Sequence, residues 1–264
     1  MNRPEAPVIP DVQSHRDARE LPIDRVGIRN LRCPIRFSDG GPPQPTIATC
    51  SAYVALSAEH KGTHMSRLVA AVDELPDPLS LAALPGVLDA LVARLETDAG
   101  RIDIGFPWFI RKAAPVSGAQ SAMDYEVRLV ADGSPGRSTI EVTVVVPVMS
   151  LCPSSKAIAD YGAHNQRSHL TLTVRPRAGA VIALSELVAL AEQEASCELY
   201  GLLKRADEKF VTERAYDRPR FVEDLVRGIA ARLSDDERLA GFSVAAENFE
   251  SIHNHSAYAE IVRG

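Results

Sequence analysis

The feature that most constrains this chain is an order of elements that occurs twice. Residues Asp24–Arg36 and Thr46–Ala58 alternate apolar and polar side chains, as half-buried strands do. A helical stretch follows in KGTHMSRLVAAVDEL, where Gly62 ends the extended run and Thr63 is placed to cap; Pro76 and Pro78 break it. A second helical pattern covers Ser80–Thr97, with Leu81, Leu84, Leu88, Leu91, Val92 and Leu95 on one face. Strands resume at Arg101–Ala113 and Asp124–Ala131, and Asp132-Gly133 marks a turn.

The second half repeats that order. Strands Ser138–Met149 and Ser168–Arg175 precede a long helix over Leu184–Arg205, which has Leu187, Leu190, Ala191 and Glu194 in register. Asp217-Arg218-Pro219 opens another helix over Arg220–Leu233, and two strands fit Phe242–Phe249 and Ser256–Val262. Each half reads strand, strand, helix, helix, strand, strand, with little residue identity between halves. The expected class is α+β, an antiparallel sheet with helices on one face. The expected divisions are an arm over 1–22, a first module over 23–134 and a second over 135–264 that carries most of the site. An open sheet has two edges, which pairing with another subunit can close, so a homo-oligomer is expected.

Bulk properties narrow the classes. No apolar run in the 264 residues approaches the roughly 20 needed to cross a bilayer, and the polar, proline-broken start lacks a signal-peptide core. A cytoplasmic protein with no membrane partner is expected. The cysteines Cys33, Cys50, Cys152 and Cys197 lack framework spacing and read as free thiols or ligands. A formal net charge of -6, with no Arg/Lys stripe interleaved with aromatics, argues against nucleic acid as a partner.

The chemistry concentrates in SLCPSSKAIADYGAHNQR, Ser150 to Arg167. Cys152 stands where a β-forming run gives way to a helical turn opened by Pro153, with Lys156 close by. Helix dipole and lysine both favour the thiolate. A continuous helix would hold Cys152 and His164 roughly 15 Å apart. They can share a ligand only if the helix stops early and Gly162 turns the chain back. Taken alone, a single cysteine is more often a core residue than a ligand. In NFESIHNHSAY, extended backbone would put His253 and His255 on one face and Glu250 and Asn254 on the other. Two such histidines suit a divalent metal or acid–base work; two exposed strand histidines are the plain alternative. KGTHMSR sets Lys61, His64, Ser66 and Arg67 around a helix start, which favours phosphate, although an ordinary cap would look the same. In the charged stretch Leu203–Asp224, most residues fit a solvated face. Glu223, entering a helix at an apolar boundary, can accept from the N–H groups of a base such as guanine, and Glu208 can complete a metal shell. Together these residue types suit metal-activated water acting on a phosphorylated substrate.

The motifs PDVQ, KGTHMSR, LCPSSK, GAHNQR, DEKFVTE, FVED and NFESIHNHSAYA, in this order from about Pro10 to Ala259, resemble type IB GTP cyclohydrolase I. The resemblance implies the bimodular tunnelling fold, in tetramers with active sites at subunit interfaces. It implies hydrolysis of GTP at C8 to formate and 7,8-dihydroneopterin triphosphate, the first step of folate synthesis, with a divalent metal (zinc, manganese or iron). By motif, Cys152 is then the essential thiolate and a metal ligand. His164 and Glu208 lie in or beside the metal shell, with His255 a further ligand. Glu223 holds the guanine edge, and Glu250 and His253 line the site as proton-moving groups. Lys61, His64, Ser66 and Arg67 stand as triphosphate contacts on helix-start physics. Many relatives read Cys-Pro-Cys-Ser-Lys; Ser154 here replaces the second cysteine and leaves Cys152 alone in that role. The competing readings are a same-fold nitrile reductase using Cys152 as covalent nucleophile, an archaeal-type relative making a cyclic phosphate, and a non-catalytic metal- or nucleotide-binding oligomer.

Overall fold

Alternation of buried and exposed side chains along the strands sets the architecture. The computed structural model describes residues 11–13 and 15–264. Among these residues nine strands form one antiparallel sheet: β1 (Ile23–Phe37), β2 (Gln44–Leu56), β3 (Gly100–Ala113), β4 (Gln120–Ser134), β5 (Arg137–Leu151), β6 (Asn165–Pro176), β7 (Cys197–Glu198), β8 (Leu239–Asn248) and β9 (Ala257–Arg263). The order across the sheet is β1-β2-β3-β4-β5-β6-β8-β9, with β7 paired to β5. Six α-helices occur among the described residues, α1 (Met65–Asp73), α2 (Leu84–Leu95), α3 (Pro153–Ile158), α4 (Leu184–Glu194), α5 (Arg205–Asp217) and α6 (Val222–Ser234), and a 3-10 turn, Leu81–Ala83, leads into α2.

On β5, Val142, Val144, Val146 and Val148 are buried at every second position, and Leu170, Leu172 and Val174 of β6 continue that face. The face packs against Leu187, Val188 and Ala191 of α4 and Leu225, Val226 and Ile229 of α6. In the first half, Ile102, Ile104 and Leu129 meet Leu88 and Leu91 of α2 in the same core. The opposite face is polar: Thr143 and Thr173 share a 2.8 Å hydroxyl hydrogen bond across the β5–β6 ladder. Because β4 pairs directly with β5, the sheets of the two halves are one sheet with one continuous core.

Three local expectations are corrected. The turn between β4 and β5 is Pro135-Gly136, where Gly136 supplies a left-handed φ of +69; Asp132-Gly133 stays inside β4. The helix expected over Leu184–Arg205 ends at Glu194, because the chain leaves it to pair Cys197 and Glu198 with Met149 and Val148. A separate helix, α5, then forms in the charged stretch read from sequence mainly as a solvated face. The N-cap of α1 is His64 rather than Thr63, without a side-chain capping bond. Pro10 and the start of the arm lie outside the described residues, while Lys61 N and Gly62 N donate to the carbonyls of His15 and Gln13.

Candidate active site

The loop from β5 to β6 builds the first wall. Pro153 opens α3 immediately after Cys152, which caps it; Ser155 N donates to Cys152 Sγ at 3.4 Å. The helix stops at Ile158, Gly162 takes a φ of +67, and Cys152 N donates to the carbonyl of His164 at 3.1 Å. The early stop and the glycine turn, which the sequence set as the condition for Cys152 and His164 to share a ligand, are what bring the two together. Lys156 is otherwise engaged. Its ammonium donates to the Tyr216 carbonyl and lies 4.0 Å from that ring, which ties α3 to the end of α5.

The second wall is the β8–β9 connection and the start of α6. Residues 249–256 form a bent loop, not the extended segment considered above, so Glu250 is not turned away from the histidines. Glu250 Oε2 sits 3.5 Å from His253 Nδ1 and 4.0 Å from His164 Nδ1, and the His253 and His255 rings stack at 5.1 Å. Glu223 occupies the first turn of α6, where Asp224 accepts from Phe221 N at 2.9 Å and takes the capping role. Cys152, His164, Glu223, Glu250, His253 and His255 line one cleft of about 430 Å³. A larger cleft of about 720 Å³, between β1, β2 and α1, carries no histidine, so size does not follow chemistry here.

Not every expected residue arrives. Glu208 lies on the exposed side of α5, outside the cleft. The cause is helical geometry: its neighbour Asp207 turns inward to accept from Val116 N, Ser117 N and Lys204 N, and the next residue lies about 100° further round. The helix-start set also lies elsewhere. His64 and Arg67 line a separate cleft of about 600 Å³ that shares no residue with the Cys152 cleft, and neither Lys61 nor Ser66 lines it. There His64 Nε2 is 3.3 Å from Asp11, and Arg67 is 3.8 Å from Glu96.

Among the four cysteines only Cys152 is not buried. Burial pushes the Cys50 thiol up, aided by the Cys33 sulfur 3.2 Å away, and pushes Cys197 up to about 12. Cys152 is thus the thiol in reach of a ligand. Thiol, imidazole and carboxylate together match the mixed sulfur, nitrogen and oxygen donors a zinc-like ion takes. The donor chemistry fits a metal, although among the described residues no three of these groups already stand at ligating distance. Residues missed by sequence reasoning include Gln166, Asn248 and Arg220, all lining the cleft. Gln166 stands within the GAHNQR motif, but nothing in its type announced a role.

One antiparallel sheet with helices packed on one face is the tunnelling-fold arrangement. Solved structures of the same fold include uricase from Arthrobacter globiformis (TM-score 0.51, 9% identity, covering 91% of this chain and 93% of that one). A Bacillus sp. TB-90 urate oxidase mutant scores 0.51 at 8% identity, covering 91% and 100%. At such identity the likeness shows the fold alone. The chain belongs to the family described as type I GTP cyclohydrolase folE2, whose model matches residues 9–259. It is 54% identical to GTP cyclohydrolase FolE2 of Ralstonia nicotianae, over 97% of this chain and 95% of the relative. It is 55% identical to GTP cyclohydrolase FolE2 2 of Cupriavidus metallidurans (96% and 94%) and 55% identical to FolE2 of Paraburkholderia xenovorans (97% and 95%).

Proposed function

We propose that this chain is a GTP cyclohydrolase of the type IB kind. It hydrolyses GTP at C8, releases formate and yields 7,8-dihydroneopterin triphosphate, the first step of folate biosynthesis and a hydrolysis of C–N bonds in a cyclic amidine. The observation that carries this reading is the convergence of Cys152, His164, Glu223, Glu250, His253 and His255 on one cleft, in a chain of this family. Cys152, His164 and His255 would hold a divalent ion, zinc, manganese or iron. Bound there, such an ion supplies the Lewis acidity that makes water nucleophilic near neutral pH.

The chain's own residues do the rest. Glu223, exposed at the cleft rim, accepts from the two N–H groups on the guanine edge and fixes which ring carbon faces Cys152. Glu250 and His253, 3.5 Å apart, form the pair able to move protons as the imidazole ring opens. Assembly as a homotetramer with interface sites is part of the proposal, and several features support it. The edge strands β1 and β9 each pair on one side only in the sheet order. Ile158, Tyr161 and Ile252 stand 81%, 95% and 63% exposed on the two cleft-forming loops. Glu208, Lys61, His64, Ser66 and Arg67, which lie away from this cleft, would reach it from a neighbouring protomer. A cytoplasmic location is proposed with it; among the described residues no helix is long and apolar enough to cross a membrane.

The test is purified protein with GTP and added manganese, zinc or iron, followed for formate and pterin. Formate with dihydroneopterin triphosphate is expected. Formate with a cyclic phosphate would place the chain in the archaeal-type branch. No formate with any metal would overturn the proposal in favour of the reductase or binding-protein readings.

A further inference from the structure

Beneath the cleft runs a chain of polar side chains that the reaction as described does not use. Ser150 and Ser168 are fully buried, Asn248 and Gln166 nearly so. Such groups are retained in a core only when every donor and acceptor is matched. Here the matching has one direction. The Ser168 hydroxyl donates to Asn248 Oδ1 at 2.6 Å. Its single proton being spent, Ser168 must accept from the Ser150 hydroxyl, 2.7 Å away. Ser150 in turn has only lone pairs left for Gln166, so Gln166 presents Nε2 to it, at 3.3 Å. That orientation turns Gln166 Oε1 toward His164 Nδ1, 2.9 Å away. An amide oxygen only accepts, so Nδ1 carries the proton and Nε2 keeps the lone pair.

We propose that Gln166 is a positioning residue: through the relay Asn248–Ser168–Ser150–Gln166 it locks His164 as the Nδ1–H tautomer and reserves Nε2 for the ligand or proton in the cleft. Neutral histidine in water prefers the opposite tautomer, so the lock changes which nitrogen is available. The relay joins both walls, since Asn248 on β8 and His164 before β6 each line the cleft. Glu250 does not replace it: at 4.0 Å from Nδ1 its carboxylate is beyond hydrogen-bonding range. Outer partners of this kind set ligand orientation, and their loss lowers metal affinity or activity about 10–100-fold. This role rests on the proposed reading and names what orients one of its residues; the tautomer itself is read in the metal-free chain without GTP.

The full chain, metal-free and with nitrogen-15 histidines, is examined by long-range proton–nitrogen correlation at a pH where imidazole is neutral. His164→Asn identifies the signal. Wild-type His164 is expected as Nδ1–H. Gln166→Leu is expected to shift the population toward Nε2–H and to weaken zinc binding, measured by chelator competition, about 10–100-fold. Gln166→Glu keeps an acceptor at Nδ1 and should restore the Nδ1–H form, with the serine hydroxyls and the Asn248 amide reversed. Ser150→Ala, a milder change should Gln166→Leu fold poorly, frees the Gln166 amide to flip and should give a mixture. Wild-type His164 with its proton on Nε2, or an Nδ1–H form unchanged by both Gln166→Leu and Ser150→Ala, would overturn the proposal. So would unchanged zinc affinity in a variant whose tautomer has shifted.

Discussion

Cys152 combines a helix-start position, a sulfur that accepts from Ser155 N, and partial exposure, whereas the other three thiols are buried. Cys152→Ala should therefore reduce formate release below about a hundredth of wild type, a loss within the range of a catalytic group, while sedimentation and circular dichroism stay unchanged. Near-wild-type turnover would remove the thiol from the mechanism. Glu223→Gln exchanges a purely accepting carboxylate for a group that presents one acceptor and one donor to the guanine edge. A charged hydrogen bond contributes about 1.5–3 kcal/mol, so kcat/KM for GTP should fall about 10–150-fold with bound metal unaltered; loss of metal instead would refute the assigned role. The placement of Cys152, Gly162 and His164 was legible in sequence because it is local: a helix start, a break and a return. Gln166 and Asn248 were not, since what matters about them is the register that sets Ser150 opposite Gln166 and Ser168 opposite Asn248.

At the level of elements, the loop after α3 and the start of α5 carry the most consequence. Gly162 has open space where a Cβ would stand, so Gly162→Ala is opposed by backbone alone, at about 1–2 kcal/mol for a left-handed residue. The expected result is a modestly lower melting temperature and a larger loss of turnover, because relief of that φ moves His164 away from Cys152. Asp207 anchors α5 to the β3–β4 loop. Burial opposes its ionisation, but hydrogen bonds from Ser117, Lys204 and Val116 outweigh this and hold its carboxyl well below the usual range. A depressed carboxyl contributes stability above its unfolded pKa and loses it as pH falls. Asp207→Ala should thus lower the melting temperature at neutral pH, and the gap from wild type should narrow as pH falls through the carboxylate range; a pH-independent gap would contradict this. α5 escaped sequence reading because its apolar face is thin, and α4 was read too long because no glycine or proline ends it. The pairing of β7 with β5 ends it, a long-range contact that no local pattern encodes.

For the whole molecule, the repeated order of strands and helices led correctly to an antiparallel sheet with helices on one face. That one sheet continues across both halves was not legible, since it rests on the β4–β5 hairpin through Pro135-Gly136. The site was legible as a set of motifs but not as one place: six residues gather in one cleft, while Glu208 and the helix-start group lie outside it. If neighbouring protomers complete the site, turnover per chain should fall on dilution in step with tetramer dissociation measured by sedimentation; activity unchanged in the monomer would show that one chain suffices. The most direct test of the account is GTP carrying carbon-13 at C8, incubated anaerobically with the protein and manganese, zinc or iron. The label is expected in formate, one equivalent for each dihydroneopterin triphosphate formed. Label retained in a purine or pterin ring, or GTP unconsumed by the folded, metal-supplied protein, would contradict it.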